Sequence, residues 1–244
     1  MLTLHKYIRI ILTVFLVVNY VRGADKIDEY KNKWEIGFTF GEIPFLSGSF
    51  KPGLMVGYHF NEYVFINTTI QLKDHLNRND ESFNAVNIGL KGLSSSKEIT
   101  GERILIALNL RPAYWSPYLT AGFVFNNYDK ETMLFGNEER IIGQGAYNSG
   151  IKITQERPSG FVPAIGLGYR YDFENGLSIN TSFAMGFFNS IVDPVITLES
   201  GEPLAEKDSE LLKEKINHVY KGNFHNRYHI FNLGIIYRFK SRIN

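Results

Sequence analysis

The chain has 244 residues and no cysteine, which excludes a disulfide scaffold, a thiolate metal site and a lipid anchor on an N-terminal cysteine. Its formal net charge is only +1, and no basic field marks it as a nucleic-acid-binding protein. The 19 phenylalanines and 14 tyrosines form a high aromatic share, which favours β-strands.

The first 23 residues have the three parts of a secretory signal peptide. The basic end, the apolar run and the cleavage site are His5 to Arg9, Ile10 to Val18 and Val21 to Gly23. The apolar run is too short for the alternative, a helix anchored across about 30 Å of hydrocarbon. Removing residues 1–23 leaves 23 basic and 25 acidic residues, so the mature net charge is about −2. We predict that residues 24–33 then form a short periplasmic segment.

Eight later segments alternate between bulky apolar residues and small or polar ones, which is the two-residue period of a strand with two different faces. The predicted strands cover residues 34–41, 54–60, 63–73, 103–111, 117–127, 163–173, 177–188 and 228–239. The last is the clearest: in YHIFNLGIIYRF, every second residue from Phe231 to Phe239 is large and apolar, and Gly234 and Arg238 are among those between.

The gaps between these strands alternate between long and short, at 12, 2, 29, 5, 35, 3 and 39 residues. Outer-membrane barrels have short periplasmic turns and long outer loops. The sequence therefore predicts an all-β protein: a transmembrane antiparallel up-and-down barrel of eight strands over residues 34–240, followed by a tail at 241–244. The long loops are 74–102, 128–162 and 189–227.

Two arguments place the bulky face outside, against lipid, rather than inside a soluble lipid-binding barrel. An eight-stranded barrel is only wide enough for its own side chains, so it could not enclose so many aromatic rings. The opposite face is glycine, serine and asparagine, whereas a water-facing surface would be rich in lysine and glutamate. Aromatic residues also gather at the short-turn end, as an interfacial belt would: Trp34, Tyr58, Phe60, Tyr63, Trp115, Tyr171, Phe173, Tyr237 and Phe239.

Two segments in the long loops also have regular patterns. Residues 83–93 alternate like a strand, and we place them as a β extension above the membrane, with a ten-stranded barrel as the alternative. Residues 203–220 place Leu204, Leu211, Leu212, Ile216 and Val219 roughly on one side of a helix that Pro203 would open. We expect this helix to cap its own loop, the alternative being a docking site for a partner.

Six titratable residues fall on inward positions at the short-turn ends of their strands. They are Glu35, His59, Arg111, Arg170, Asp172 and Arg238. Charges inside a barrel are costly unless they are paired, so these residues are predicted to form a hydrogen-bonded, salt-bridged plug. The alternative is a charged constriction that selects small anions.

The sequence gives little support for catalysis, and we predict no enzymatic activity, cofactor or metal. His59 has no serine near it on the adjoining strands, and Asp74-His75 is a loop pair of a kind that occurs by chance. His218, His225 and His229 are candidate metal ligands, but no carboxylate stands at a clear ligand spacing from them.

The openings and ends of three strands, Ser116–Gly122, Ala164–Tyr171 and Gly234–Phe239, resemble the small outer-membrane barrel group of the OmpA transmembrane domain, OmpX, OmpW and the opacity-type proteins. The resemblance implies a bacterial outer-membrane location. Because eight strands leave little open bore, we expect a sealed or nearly sealed scaffold that acts in membrane integrity and in loop-mediated binding or adhesion. The alternative is a narrow channel for small or hydrophobic solutes. The expected partners are outer-membrane lipid, the barrel-insertion machinery, periplasmic chaperones and an extracellular ligand of the loops, with no role for nucleic acid.

Overall fold

The computed structural model describes residues 30–41, 51–79, 88–112, 117–186, 193–222 and 228–239, with the backbone alone for 220–222. The predicted signal peptide, residues 24–29 of the predicted periplasmic segment, residues 83–87 and the tail at 241–244 lie outside these residues. No helix within the described ranges is long and apolar enough to cross a membrane.

The described chain forms a long succession of strands and one helix near its C-terminal end. In order these are β1 Lys33–Gly41, β2 Lys51–His59, β3 Val64–Gln71, β4 Asp74–Asn79, β5 Leu93–Thr100, β6 Arg103–Leu110, β7 Tyr118–Asn126, β8 Asp129–Phe135, β9 Arg140–Ile142, β10 Gly145–Tyr147, β11 Ile151–Arg157, β12 Gly160–Asp172, β13 Leu177–Gly186, β14 Val195–Ser200, α1 Glu206–Gly222 and β15 His229–Arg238.

Eight of these strands close into an antiparallel barrel in the order β1-β2-β3-β6-β7-β12-β13-β15, with β15 returning to β1. Glu35 lies opposite Arg238 where the ring closes. The predicted eight-stranded barrel is confirmed, and the ten-stranded alternative is wrong. The predicted strand bounds agree with the observed ones to within three residues at each end.

The bulky apolar side chains face out of the barrel, as the alternation predicts. Along β1, Phe38 is 71% exposed whereas its neighbour Thr39 is 1% exposed. Aromatic pairs contact one another on the outer surface at the short-turn end: ring centroids are 5.0 Å apart for Trp34 and Tyr58 and 5.5 Å apart for Tyr237 and Phe239. This arrangement matches the predicted belt, of which Trp115 lies outside the described residues.

Pro163 was expected to begin its strand, but β12 starts earlier, at Gly160. Among the described residues, the pairing of β12 with β13 begins at Ala164. On its other side Pro163 lies opposite Phe123 of β7.

The long loops are not irregular: five strands from them form a second sheet in the order β14-β11-β8-β5-β4. This outer sheet continues part of the barrel wall in the same register. Gln71 pairs with Arg103 in the barrel, and three residues further along each strand Asp74 pairs with Thr100. The pair β7–β12 resumes in the same way as β8–β11, after a break of two residues on each strand. The register set by the barrel thus carries into the outer sheet.

The outer sheet, the hairpin β9–β10 and helix α1 share a hydrophobic core of their own, and we call this unit the outer domain. The core contains Ile88, Met133, Phe135, Ile142, Tyr147, Ile151, Ile153, Leu212 and Ile216. The predicted helix forms over 206–222 and caps this core, beginning where the Ala205 carbonyl accepts from the N–H groups of Asp208 and Ser209. The predicted strand at 83–93 is wrong over its described residues 88–92, which connect toward β5 instead.

Candidate functional site: charged clusters at the two ends of the barrel

The structure brings together all six titratable residues predicted at the short-turn end, and we call them the turn cluster. Arg170 is its centre: its NH1 donates to Glu35 Oε2 at 2.6 Å and its Nε donates to Asp172 Oδ1 at 2.8 Å. His59 Nε2 lies 2.7 Å from Glu35 Oε2. Arg111 and Arg238 bind the Asp172 carboxylate at 3.0 and 3.2 Å. Each of these six side chains is buried, so the charges are paired out of contact with solvent.

Small residues on neighbouring strands make room for the turn cluster. Gly57 lies opposite Glu35, and a Cβ at Gly57 would stand 2.6 Å from the Glu35 carboxylate. Ser178 lies opposite Asp172, and its hydroxyl donates to that carboxylate at 2.6 Å while it accepts from Arg170. The glycines and serines on the predicted inner face therefore hold the positions that leave space for long charged side chains.

Tyr30 closes the turn cluster from the N-terminal side, and sequence reasoning missed it. The ring is 1% exposed, and its centroid lies 3.8 Å from the Arg238 guanidinium carbon and 4.8 Å from that of Arg111. Stacking of guanidinium groups on an aromatic face is favourable, more so when water is excluded. A tyrosine three residues before the first strand carries no periodic signal, so only the folded position identifies it.

Above the turn cluster the lumen is filled first by polar side chains and then by apolar ones. Tyr118 donates to Asn180 at 2.7 Å, and Thr120 donates to Asn109 at 2.8 Å. The next layer contains a buried apolar cluster of Leu105, Ala107, Val124, Val162, Ala164, Ala184, Tyr228 and Ile230. Buried side chains thus occupy the barrel interior from the turn cluster to this apolar cluster.

A second group of charged and polar side chains lies where the barrel meets the outer domain. We call it the mouth cluster; its members are Lys51, Arg103, Asn126, Asp129 and Arg157. Asp129 is central: its carboxylate accepts from Gly101 N at 2.7 Å and Asn126 Nδ2 at 3.1 Å, and lies 3.4 Å from Arg157 NH1. Arg103 donates to Asn126 at 2.8 Å, and Lys51 donates to the Gly101 carbonyl at 2.7 Å. Lys51 and Arg103 occupy inward-facing positions in the alternating patterns of β2 and β6. The sequence therefore contained a signal for their placement.

The mouth cluster predicts a pH dependence. Burial raises the pKa of Asp129, but the nearby Arg103 and Arg157 outweigh it and hold that pKa below its ordinary value of 3.8. The ion pairs therefore stabilise the fold fully above pH 3.8, and this contribution is lost as the pH falls through the lower pKa of the folded protein. We expect the Tm of the outer domain, followed by near-ultraviolet circular dichroism, to fall more steeply with acid in the wild type than in Asp129→Asn. Equal slopes in the two proteins would contradict this.

The outer domain has a local tie between its helix and its hairpin. Asp208, in the first turn of α1, accepts from the Tyr147 hydroxyl at 2.7 Å and from the N–H of Gln144 at 3.3 Å. Gly143 in the hairpin turn has a positive φ of 61°, which glycine adopts at low cost. This contact fixes the helix over the open side of the sheet.

The remaining histidines do not form a catalytic or metal site within the described chain. Asp74 accepts from the backbone N–H of the adjacent His75, which makes a local turn contact. His218 lies on α1 and His229 begins β15, while His225 is outside the described residues. No group of three or more histidine, aspartate or glutamate residues in the described ranges could hold a metal ion. The absence of catalysis stays a prediction.

The closed ring of eight antiparallel strands, with its apolar side chains outside, has the fold of the small outer-membrane β-barrels. Among solved structures the chain is similar to CarO2 of Acinetobacter baumannii, with a TM-score of 0.58 and 13% identity over 85% of this chain and 99% of that one. It is also similar to CarO of the same organism, with a TM-score of 0.52 and 13% identity over 84% and 97% of the two chains. These identities show the fold alone. No protein-family model matches the chain, and no curated protein matches it.

Proposed function

We propose that this protein is a sealed barrel of the bacterial outer membrane that holds a folded outer domain at the cell surface. Its roles would be membrane integrity and surface binding through the outer domain. The observation that carries the proposal is the packing of the lumen: the turn cluster, a polar layer, a buried apolar cluster and the mouth cluster follow one another along the axis. Its expected partners are outer-membrane lipid, the barrel-insertion machinery, periplasmic chaperones and a ligand of the outer domain.

The outer domain supports the binding role because it is built from regular structure on a rigid base. Its sheet keeps the barrel register, and its core is separate from the barrel core. Binding surfaces are commonly carried on segments that a rigid scaffold positions. Ile141 on β9 and Val195 on β14 are 79% and 59% exposed and lie on this domain. They are candidates for contacts with a surface partner.

The alternative function is a narrow channel, and single-channel recording in a planar bilayer separates the two. We expect the refolded mature protein to give no discrete conductance steps, because an ion would have to cross several layers of packed side chains. Heat-modifiable gel migration would first establish that the barrel has folded. Reproducible steps whose size changes in an Arg111→Met, Arg170→Met variant would favour the channel instead.

Removing Tyr30 tests which layer seals the barrel. Tyr30→Ala takes one aromatic ring from the turn cluster but leaves the buried apolar cluster of the lumen intact. We therefore expect this variant also to remain silent in the bilayer, with a modest loss of thermal stability. Opening of the barrel in Tyr30→Ala would mean that the N-terminal segment acts as the gate. Phe38→Ala, on the outer surface, is the matched aromatic control.

A further inference from the structure

Gln155 is a buried amide with unmet hydrogen-bonding capacity. It lies on β11, is 4% exposed, and neither its Nε2 nor its Oε1 has a hydrogen-bond partner among the residues that the structure describes. The hydroxyl of Thr100 on β5 is also buried, and it too has no hydrogen-bond partner among the described residues. Buried polar side chains in native proteins are nearly always hydrogen-bonded, to protein, water or ligand, so each exception needs an explanation.

Both residues border the mouth cluster. Gln155, Arg157 and Ile153 lie on the same face of β11. Arg157 is two residues nearer the barrel, and Ile153 is two residues further from it, in the core of the outer domain. Thr100 immediately precedes Gly101, whose carbonyl accepts from Lys51 and whose N–H binds Asp129. The two unmet polar groups therefore flank a set of buried cations at the junction between the barrel and the outer domain.

The chemistry of this junction suits an anion. Lys51, Arg103 and Arg157 are each more than nine-tenths buried and surround one carboxylate, Asp129. Guanidinium and amide N–H groups together are the usual donors to carboxylate and phosphate oxygens. Glu131 lies opposite Gln155 and accepts from Ser96 at 2.8 Å, so its charge limits how much negative charge a ligand can bring. A monoanion is favoured over a dianion.

We propose that the mouth cluster, Gln155 and Thr100 form a binding site for a small molecule bearing a carboxylate group. The carboxylate lies against Arg157 and Lys51, and the amide of Gln155 donates to it. The site is distinct from the surface of the outer domain and from the turn cluster at the opposite end of the barrel. It gives the protein a ligand held at the base of the outer domain, beyond the sealed part of the lumen.

The test is an acetate titration of the folded, isotope-labelled full mature chain in lipid nanodiscs. Binding is monitored through the NMR signals of the Gln155 side-chain amide. Gln155→Leu assigns those signals. We expect a saturable shift with sodium acetate, a weaker response to phosphate, and none with sodium chloride at equal ionic strength. Arg157→Met should weaken the acetate response at least tenfold, whereas Lys152→Met, in an exposed pair with Glu199, should leave it unchanged. A linear response, or one that chloride reproduces, would overturn the proposal.

Thermal stability gives an independent readout if a variant changes the spectrum. Gln155→Leu removes the unmet amide, so in acetate-free buffer its Tm should be equal to or above that of the wild type. It should also lose the rise in Tm that acetate produces by binding the native state. A Gln155→Leu variant that is less stable without acetate and is still stabilised by it would show that the amide serves packing alone. Because neither readout involves conductance, the site can fail while the sealed-scaffold function stands.

Discussion

Replacing Arg170 with methionine is expected to lower the free energy of unfolding by about 3–5 kcal/mol, as when one partner is removed from a buried ion pair. Arg170 binds Glu35, Asp172 and Ser178, and it is fully buried. Its loss leaves the Glu35 carboxylate inside the barrel without its guanidinium partner. The measurement is urea-induced unfolding in detergent micelles, with folded and unfolded barrel separated by heat-modifiable gel migration.

A double-mutant cycle separates the charge pair from the loss of packing. Adding Glu35→Gln to Arg170→Met removes the uncompensated carboxylate, so the double variant should be less destabilised than the sum of the two single variants. Lys152→Met is the matched control: its pair with Glu199 is exposed, and such pairs contribute about 0–1 kcal/mol. If the effects of Glu35→Gln and Arg170→Met simply add, the turn cluster does not act as a unit and the plug interpretation fails.

Replacing Leu212 with aspartate should unfold the outer domain and leave the barrel intact. Leu212 is 3% exposed in the outer core, and a charge there has no partner in the cluster that it enters. The cost is on the order of 4 kcal/mol, among the large effects that a single substitution can produce. We expect rapid protease cleavage within the outer-domain segments 128–159 and 193–222 in a protein that still shows heat-modifiable migration, because the barrel interior has its own core.

The neighbouring residue provides the control. Leu211→Asp makes the same change one position earlier on α1, where the side chain is 49% exposed, and should leave the outer domain resistant to protease. Equal sensitivity of the two variants would mean that the helix does not cover the core. Loss of surface binding in Leu212→Asp but not in Leu211→Asp would assign that binding to the folded outer domain, as the proposed function requires.

The barrel could be predicted in detail because lipid imposes a strict pattern on every strand. A side chain facing hydrocarbon must be apolar and its neighbour must fit a narrow interior, so the two-residue period is clear in β1 and β15. The same alternation predicts that Glu35 and Arg238 face the interior at the short-turn end, and they lie opposite each other in the structure. Strand bounds, the outward face and the positions of the turn cluster residues all follow from this one constraint.

The outer domain could not be predicted in the same way, since its strands need no strong pattern of their own. β4 has the sequence DHLNRN, which contains a single large apolar residue, yet it pairs with β5 in the register that β3 and β6 already set. Neighbouring strands leave the barrel side by side. Closure of the barrel has therefore already met the entropy cost of bringing β4 and β5 together. Alternation in residues 83–93 was the stronger local signal, and it did not produce a strand over 88–92.

The sequence by itself determined the eight-stranded barrel, its lipid-facing side and the residues that carry charge at the short-turn end, because each depends on alternation within one strand. Only the tertiary structure decided that Tyr30 covers the turn cluster, that Asp129 and Arg157 meet Lys51 and Arg103 at the mouth, and that the loops fold over a second core. Those contacts join residues from loops and strands far apart in the chain. Their positions are set by the closure of the barrel and the register that it extends, which no local pattern records.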